Sequence, residues 1–359
     1  MTAKQENEKG NFMTAKRNDG TDFPTGREPL TSPALGAYGA HAFMGRRRQL
    51  FVLGVAVLAV VGLLAWVVSG GRAHASAVNC AATPSTCGYP DATNTGVPSG
   101  TTLSLVPSQV SSGPGWYYNA TGSDVIVNVN GTVLSGLSIP YDVVVDASNV
   151  TVKDDQIVVA GGVYAIGLTH TAGVTIENST ISGSNATTGR VNEAIVDVYG
   201  DSTGMVVEDN NISSFRIGIQ MSTGLIEGNY IHAPGFISGD HTNGIVAIGT
   251  TQPMTIEDNT VFNNLGQTDA ITLDAGVAGA PVSNRTVEGN FLAGGDYDIY
   301  GGNASGSITS NILIEGNRFG QQYGSLSGTF GAVAYYTPSG TGNVWSNNFW
   351  DTTAQAVAG

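Results

Sequence analysis

The chain of 359 residues predicts an all-β solenoid. Three observations carry that expectation: a repeated motif, a second family of short strands in step with it, and the absence of helical periodicity. The motif is a β-branched or leucine pair, Glu, any residue, usually Asn, any residue, then an apolar residue. It occurs at Thr175–Ile181, Val206–Ile212, Leu225–Ile231, Thr255–Val261, Thr286–Leu292 and Leu313–Phe319, with a degraded copy at Val344–Trp350. Successive glutamates lie 31, 19, 30, 31 and 27 residues apart, and a period of roughly 20 to 50 residues marks a stacked-repeat architecture of about seven to eight coils.

Before each motif runs a short alternating strand opened by a small or polar residue: Ala194–Val198, Gly218–Met221, Gly244–Ile248, Ala270–Leu273, Asp298–Tyr300 and Ala332–Tyr335. Such strands, bounded by Gly, Asn, Asp and Ser, are β signals. The 50 glycines and 13 prolines leave no long period-3.6 stretch in residues 88–359. A unit of two or three short strands cannot bury a face alone, so units must stack, like residue over like residue, at roughly 4.8 Å. The column Asn210, Asn229, Asn259, Asn290, Asn317 and Asn348 then has a purpose. Asn tolerates the left-handed turn conformation, and its amide can bond to the next Asn of the stack.

On these residues the chain resembles a right-handed parallel β-helix of the pectate-lyase-like superfamily, whose turns carry internal Asn ladders. The resemblance covers residues 88–355. The opening Gly88–Pro98 and the ending Asn343–Trp350 also resemble a group of secreted bacterial β-helix proteins.

Residues 1–48 are polar and aperiodic and read as a disordered cytoplasmic or pre-signal segment. Met-Thr-Ala-Lys at 1–4 recurs at 13–16, which leaves open a start at Met13. In the segment 49–69, the uncharged apolar stretch Leu50–Val68 follows Arg46-Arg47-Arg48. It suits either a bilayer-spanning helix with a cytoplasmic N-terminus or the apolar core of an export signal. Ala73-His74-Ala75 and Ala75-Ser76-Ala77 offer cleavage sites, and Arg47-Arg48-Gln49-Leu50-Phe51 resembles a twin-arginine export motif. Both readings place residues 78–359 outside the membrane, secreted or anchored through residues 50–68. In the linker 70–87, Cys80 and Cys87 suit a small disulfide loop in an oxidising compartment. Residues 88–150 then read as an N-terminal cap with the first coils, and 151–355 as the β-helix proper.

Charge divides along the chain. Residues 1–72 hold 9 Lys/Arg and 5 Asp/Glu, a net of +4; subtracting these from totals of 14 and 28 leaves 5 and 23, a net of −18, for residues 73–359. That argues against nucleic acid as a partner and against simple attraction to a polyanionic glycan unless calcium mediates it.

The chemistry-bearing residues collect just before one strand in successive coils: Arg216 and Gln220; Asp240, His241 and Asn243; Asp269; and Asp296 with Asp298. Glu193 extends the row one coil earlier, and Tyr300 offers an aromatic platform. Stacking predicts one lateral groove suited to an extended polysaccharide or cell-envelope glycan. The spacing resembles polygalacturonase-type hydrolases, whose carboxylates flank the glycosidic bond as acid and base. Residue by residue, Asn243 stands at the family's first Asp position and Asp269 is single where the family has a pair. The later Gly-His-Gly and Arg-Ile-Lys motifs have no match. Asp269 with Asp296 or Asp298 is the candidate acid/base pair. By resemblance to the pectate lyases, Arg216 is the candidate base for β-elimination, beside possible calcium, and His241 is the alternative base because imidazole titrates near neutrality. The Glu177–Glu315 column reads as a solvated acidic edge or a calcium-holding one. Two functions follow: an extracellular protein that cleaves a polysaccharide by hydrolysis or β-elimination, or a non-catalytic surface protein that binds glycan or acts as a rigid spacer.

Overall fold

In the computed structural model, residues 80–274, 279–303 and 306–359 are described. The tail and the apolar stretch 49–69 lie outside them; among the described residues no helix is long and apolar enough to cross a membrane. From Asp124 onward the chain winds as a parallel β-solenoid of about seven turns bearing the Glu motif or its degraded form. Two further rungs precede these: Val133–Ser135 and Thr151–Lys153 pair in register below Thr175–Glu177, with Ser135 and Lys153 in the Glu column.

Each coil adds one strand to each of three sheets in a fixed order. Sheet 1 has 11 strands, among them Val191–Asp197, Phe215–Met221, Asn243–Ala247, Asp269–Thr272 and Tyr297–Tyr300. Sheet 2 has 9 strands and carries the glutamates in register, Glu177 beside Glu208, then Glu227, Glu257, Glu288 and Glu315. Sheet 3 has 10 strands. The core is made of stacked aliphatic columns with no exposure, such as Ile195, Ile219, Ile245, Ile271 and Ile299 in sheet 1. Each fully buried Ile contributes roughly 1.5–3 kcal/mol.

The turn from sheet 2 to sheet 3 shows what the motif encodes. Left-handed backbone falls on the residue after each Glu: Asn178 (φ 49°), Asp209 (55°), Gly228 (66°), Asp258 (55°), Gly289 (67°) and Gly316 (67°). The Asn column is therefore one residue beyond the left-handed position, not at it, and its work is hydrogen bonding. Asn259 Nδ2 donates to the carbonyls of Ile226 (2.9 Å) and Glu257 (2.8 Å) and to Asn290 Oδ1 (3.0 Å). Its Oδ1 accepts from both the backbone N and Nδ2 of Asn229, each at 2.9 Å. The same pattern links Asn210 through Asn348, all almost completely buried, and at the other end passes to Ser179 and Asp155.

Residues 80–110 do not wind a coil. The Cys80–Cys87 disulfide (Cα–Cα 5.8 Å) starts a strap over the outer face of sheet 3. At the strap's start Cys80 N donates to Asp351 Oδ1 (3.4 Å), and Tyr89 packs on Phe291 (5.2 Å). Farther along, Val97 N donates to Thr180 Oγ1 (3.2 Å), and Ser104–Leu105 finally pairs with Leu137–Ser138 as a strand of sheet 3. The antiparallel strands Ser112–Gly113, Trp116–Asn119 and Asp124–Val127 then cover the first rung. At the opposite end Trp345 Nε1 donates to Val357 O (2.7 Å), folding the last residues over the final coil.

Replacing Asn259 by Ala strands the Ile226 carbonyl and the Asn229 N–H in a dry turn. The expected loss in urea unfolding is about 2–5 kcal/mol, because each buried group left unpaired costs about 1–3 kcal/mol. Thr188→Ala, at an exposed loop position, should cost less than about 0.5 kcal/mol by the same measurement.

Candidate functional site

Sheet 1 gains its outer face from a break in strand alternation. In each strand two successive residues turn inward, a small one and then Ile or Val: Ala194-Ile195, Gly218-Ile219, Gly244-Ile245, Ala270-Ile271. A Cβ on Gly244 would meet Val261 Cγ1 at 2.3 Å and the Ala270 carbonyl at 2.5 Å, so that position must stay small. The residue before the pair then faces outward, and so does the one after it. Glu193, Ile217, Asn243, Asp269 and Tyr297 fall in register on one outer column, beside a second formed by Val196, Gln220, Val246, Thr272 and Tyr300.

Asp269 is the hub. Asn243 Nδ2 donates to both of its carboxylate oxygens at 3.0 Å, and Thr272 Oγ1 donates to Oδ2. The carboxyl has no solvent exposure. Burial pushes its pKa up to about 7, against the lowering effect of the Thr272 and Asn243 hydrogen bonds and with the help of the nearby Asp296 charge. Asp296 comes close because Gly295 backs onto Asp269; a Cβ there would lie 2.8 Å from Asp269 Cα. Burial also raises Asp296, and the charge of neighbouring His241 opposes this. Tyr300 is raised by burial and by the charges of Asp269 and Asp296. The predicted residues Asn243, Asp269, Asp296, His241 and Tyr300 are therefore gathered in one place.

The other candidates are engaged elsewhere. Arg216 Nη2 binds Glu193 Oε1 at 2.5 Å, and burial raises Glu193 in spite of that partner. Asp240 accepts two bonds of 2.6 Å from Arg190, a nearly buried pair, and also caps Ile237 N at 2.7 Å. It pins the loop before Asn243 to an earlier coil instead of lining a groove. Asp298 does not face outward with Asp296. It occupies the inward small-residue position between paired Tyr297 and Ile299, without exposure, and burial drives its pKa well above the usual carboxylate range. The Ser327 hydroxyl and the N–H groups of Gly294 and Gly328 are the donors beside it. Gln220 stands half-buried on the outer column.

Beside Asp296 lies an aromatic row built from three of the tyrosines that the sequence offers as packing or a sugar platform, Tyr297, Tyr300 and Tyr335, with Phe330. Four rings form a continuous row: Phe330 to Tyr297 at 6.0 Å, Tyr297 to Tyr300 at 5.9 Å and Tyr300 to Tyr335 at 5.1 Å between centroids. Phe330 and Tyr335 are 63% and 50% exposed. Neither of two hollows, one of about 30 Å³ at Gly294–Gly295, Tyr323 and Ser327 and one of about 450 Å³ at Pro114, Val129 and Val133, is lined by Asp269 or Arg216. Among the described residues no three His, Cys, Asp or Glu side chains gather as a metal site. On sheet 2, burial and neighbouring glutamates raise Glu208 and Glu257, as an in-register carboxylate ladder requires.

Arg190 and Thr272 were missed by sequence reasoning. Thr272 could have been found from the double inward step, which puts residues three apart on one face. No local pattern ties Arg190 to Asp240 across 50 residues. Compared with models of known protein families, with curated proteins and with solved structures, the chain matches none.

Two outcomes follow. Asp240→Ala leaves Arg190 buried and uncompensated and should lower unfolding free energy by about 3–5 kcal/mol. Asp269 and the ladder-end Asp155 are both raised to about 7, in each case chiefly by burial. An unfolded Asp titrates near 3.9, so between about pH 4 and 7 the folded chain retains protons that the unfolded chain has released. Stability should therefore fall as pH rises through that window, by on the order of ten degrees in Tm. Asp155→Asn should remove part of that slope in calorimetric scans from about pH 4 to 8.

Proposed function

We propose that this protein is a right-handed parallel β-helix of the pectate-lyase-like type that acts outside the membrane as a non-catalytic glycan-binding surface protein. The observation that carries the reading is the contrast on sheet 1: Arg216, Asp240, Asp269 and Asp298 are paired or buried, whereas the aromatic row is half-buried at Tyr297 and Tyr300 and exposed at Phe330 and Tyr335. A carbohydrate ring presents an apolar C–H face and polar edges. Tyrosines offer the matching apolar body and polar tip. A general acid must come within hydrogen-bond reach of the glycosidic oxygen, and Asp269 is enclosed by Asn243 and Thr272. The disulfide at Cys80–Cys87 supports an oxidising compartment, and an uncleaved Leu50–Val68 would fix the protein to a membrane.

A second reading, cleavage by hydrolysis or β-elimination, is favoured by one observation: Asp269 held at about 7 beside Asp296 is tuned as an acid/base pair would be. Arg216, tied to Glu193, is poorly disposed as a base.

Full-length protein in nonionic detergent, tested on a glycan array, should retain at least one polysaccharide class, with Tyr300→Ala and Tyr335→Ala each weakening it about 5–10-fold. No release of reducing ends or unsaturated products should accompany binding, with or without calcium. Release that disappears in Asp269→Asn would replace this reading with the catalytic one.

A further inference from the structure

Beyond residue 72 the chain has five Lys/Arg side chains, all described, and none is free beside the aromatic row. Arg190 is bound by Asp240 and Arg216 by Glu193. Arg318 is bound by Asp351 on the strap side, over the rings of Tyr89 and Phe291. Arg285 is buried inside the solenoid, its guanidinium donating to the carbonyls of Gln252 and Gly249. Lys153 stands on sheet 2, next to Glu177 in register. A uronate chain would thus find, among the described residues of this face, no Lys or Arg that a carboxylate does not already hold, and only His241 beside Asp296 as a further base. What the face offers is Asp296, only part-buried, with the row of rings beside it. The base at hand, His241, already acts on Asp296.

Resting on the glycan-binding reading, we infer that the row Tyr297–Tyr300–Tyr335 with Asp296 recognises a glycan bearing free, protonated amino groups, and not a uronate polymer. Charge complementarity selects that occupant. An ammonium group over a tyrosine ring is attracted by the ring's negative face. A carboxylate at the edge of the row adds a charge-assisted hydrogen bond to the same group. The −18 net charge of residues 73–359 steers such a chain toward the protein and repels a polyanion. Neutral sugars would use the rings alone.

Three probes separate these cases: a glucosamine oligomer, its N-acetylated counterpart and a galacturonate oligomer, each titrated against full-length protein in nonionic detergent at about pH 6.5 to 7, high enough to favour the Asp296 carboxylate, which burial raises, and low enough that an amine keeps its proton. The glucosamine oligomer is expected to bind about tenfold more tightly than the acetylated one, one charge pair's worth of affinity, with galacturonate weakest. Asp296→Asn should erase the preference. Glu257→Gln, which removes the same charge from the sheet 2 ladder, should leave it. Galacturonate binding as tightly as glucosamine overturns the inference, and so does an equal loss in Glu257→Gln, which would mean diffuse attraction to an acidic protein. If amine and acetyl forms bind equally and Tyr300→Ala weakens both, glycan binding stands and the amino-sugar preference falls. If no oligomer binds, both fall together.

Discussion

Every coil must turn sharply between sheet 2 and sheet 3, and each turn puts backbone N–H and C=O groups out of reach of water. The buried amide ladder resolves that problem with one side chain per coil: Asn210 to Asn317 each donate to two carbonyls and to the next amide, and Asn348 closes the row on the Ile314 carbonyl. In a low-dielectric interior an unmade bond of this kind costs more than a made one contributes. The left-handed residue before each Asn turns the chain so that successive amides stay aligned. Where the column ends in Ser179 and Asp155, a carboxyl stands in for an amide, and one of its oxygens lacks a partner.

The other two sheets leave the candidate site to sheet 1. The strap covers sheet 3, and sheet 2 displays like charges stacked coil upon coil. Sheet 1 is left with both room and chemical variety. Its double inward step turns two outer positions per strand toward solvent, and the loops before the strands from Asn243 to Tyr297 vary in length and composition. The aromatic row spans the last of these strands, Tyr297–Tyr300, and the next, Gly331–Ala334, which Phe330 and Tyr335 flank.

Much of the architecture was legible in the sequence because a solenoid repeats its constraints. The motif spacing located the coils, the Asn column located the ladder, and Cys80 with Cys87 announced the disulfide. The assignment of the left-handed position to Asn itself was one residue late, since a turn's conformation and its hydrogen-bonding side chain occupy neighbouring places that sequence alone does not separate. The site was legible in part. Asn243 over Asp269 follows from stacking, and both lie in register. Asp298 was grouped with Asp296 because both stand at the start of the same strand; the strand turns Asp298 inward beside Ile299. Asp240's partner Arg190 depends on a loop path that carries no periodicity, whereas Arg216 reaches Glu193 from the adjacent strand of sheet 1.

The strap bears on how the chain comes apart. In a simple solenoid each coil touches only its neighbours, so stability is a sum of local terms and the ends can fray independently. Here Cys80 holds Asp351 in the final coil while Leu105, some 25 residues later, is a strand against the first coils. A terminal coil cannot peel away without releasing the strap, and releasing the strap uncovers the apolar contacts of Tyr89, Phe262 and Phe291 midway. A quasi-one-dimensional stack is thereby given the all-or-none character of a globular domain, with the strap acting as a clasp that couples one end to the other.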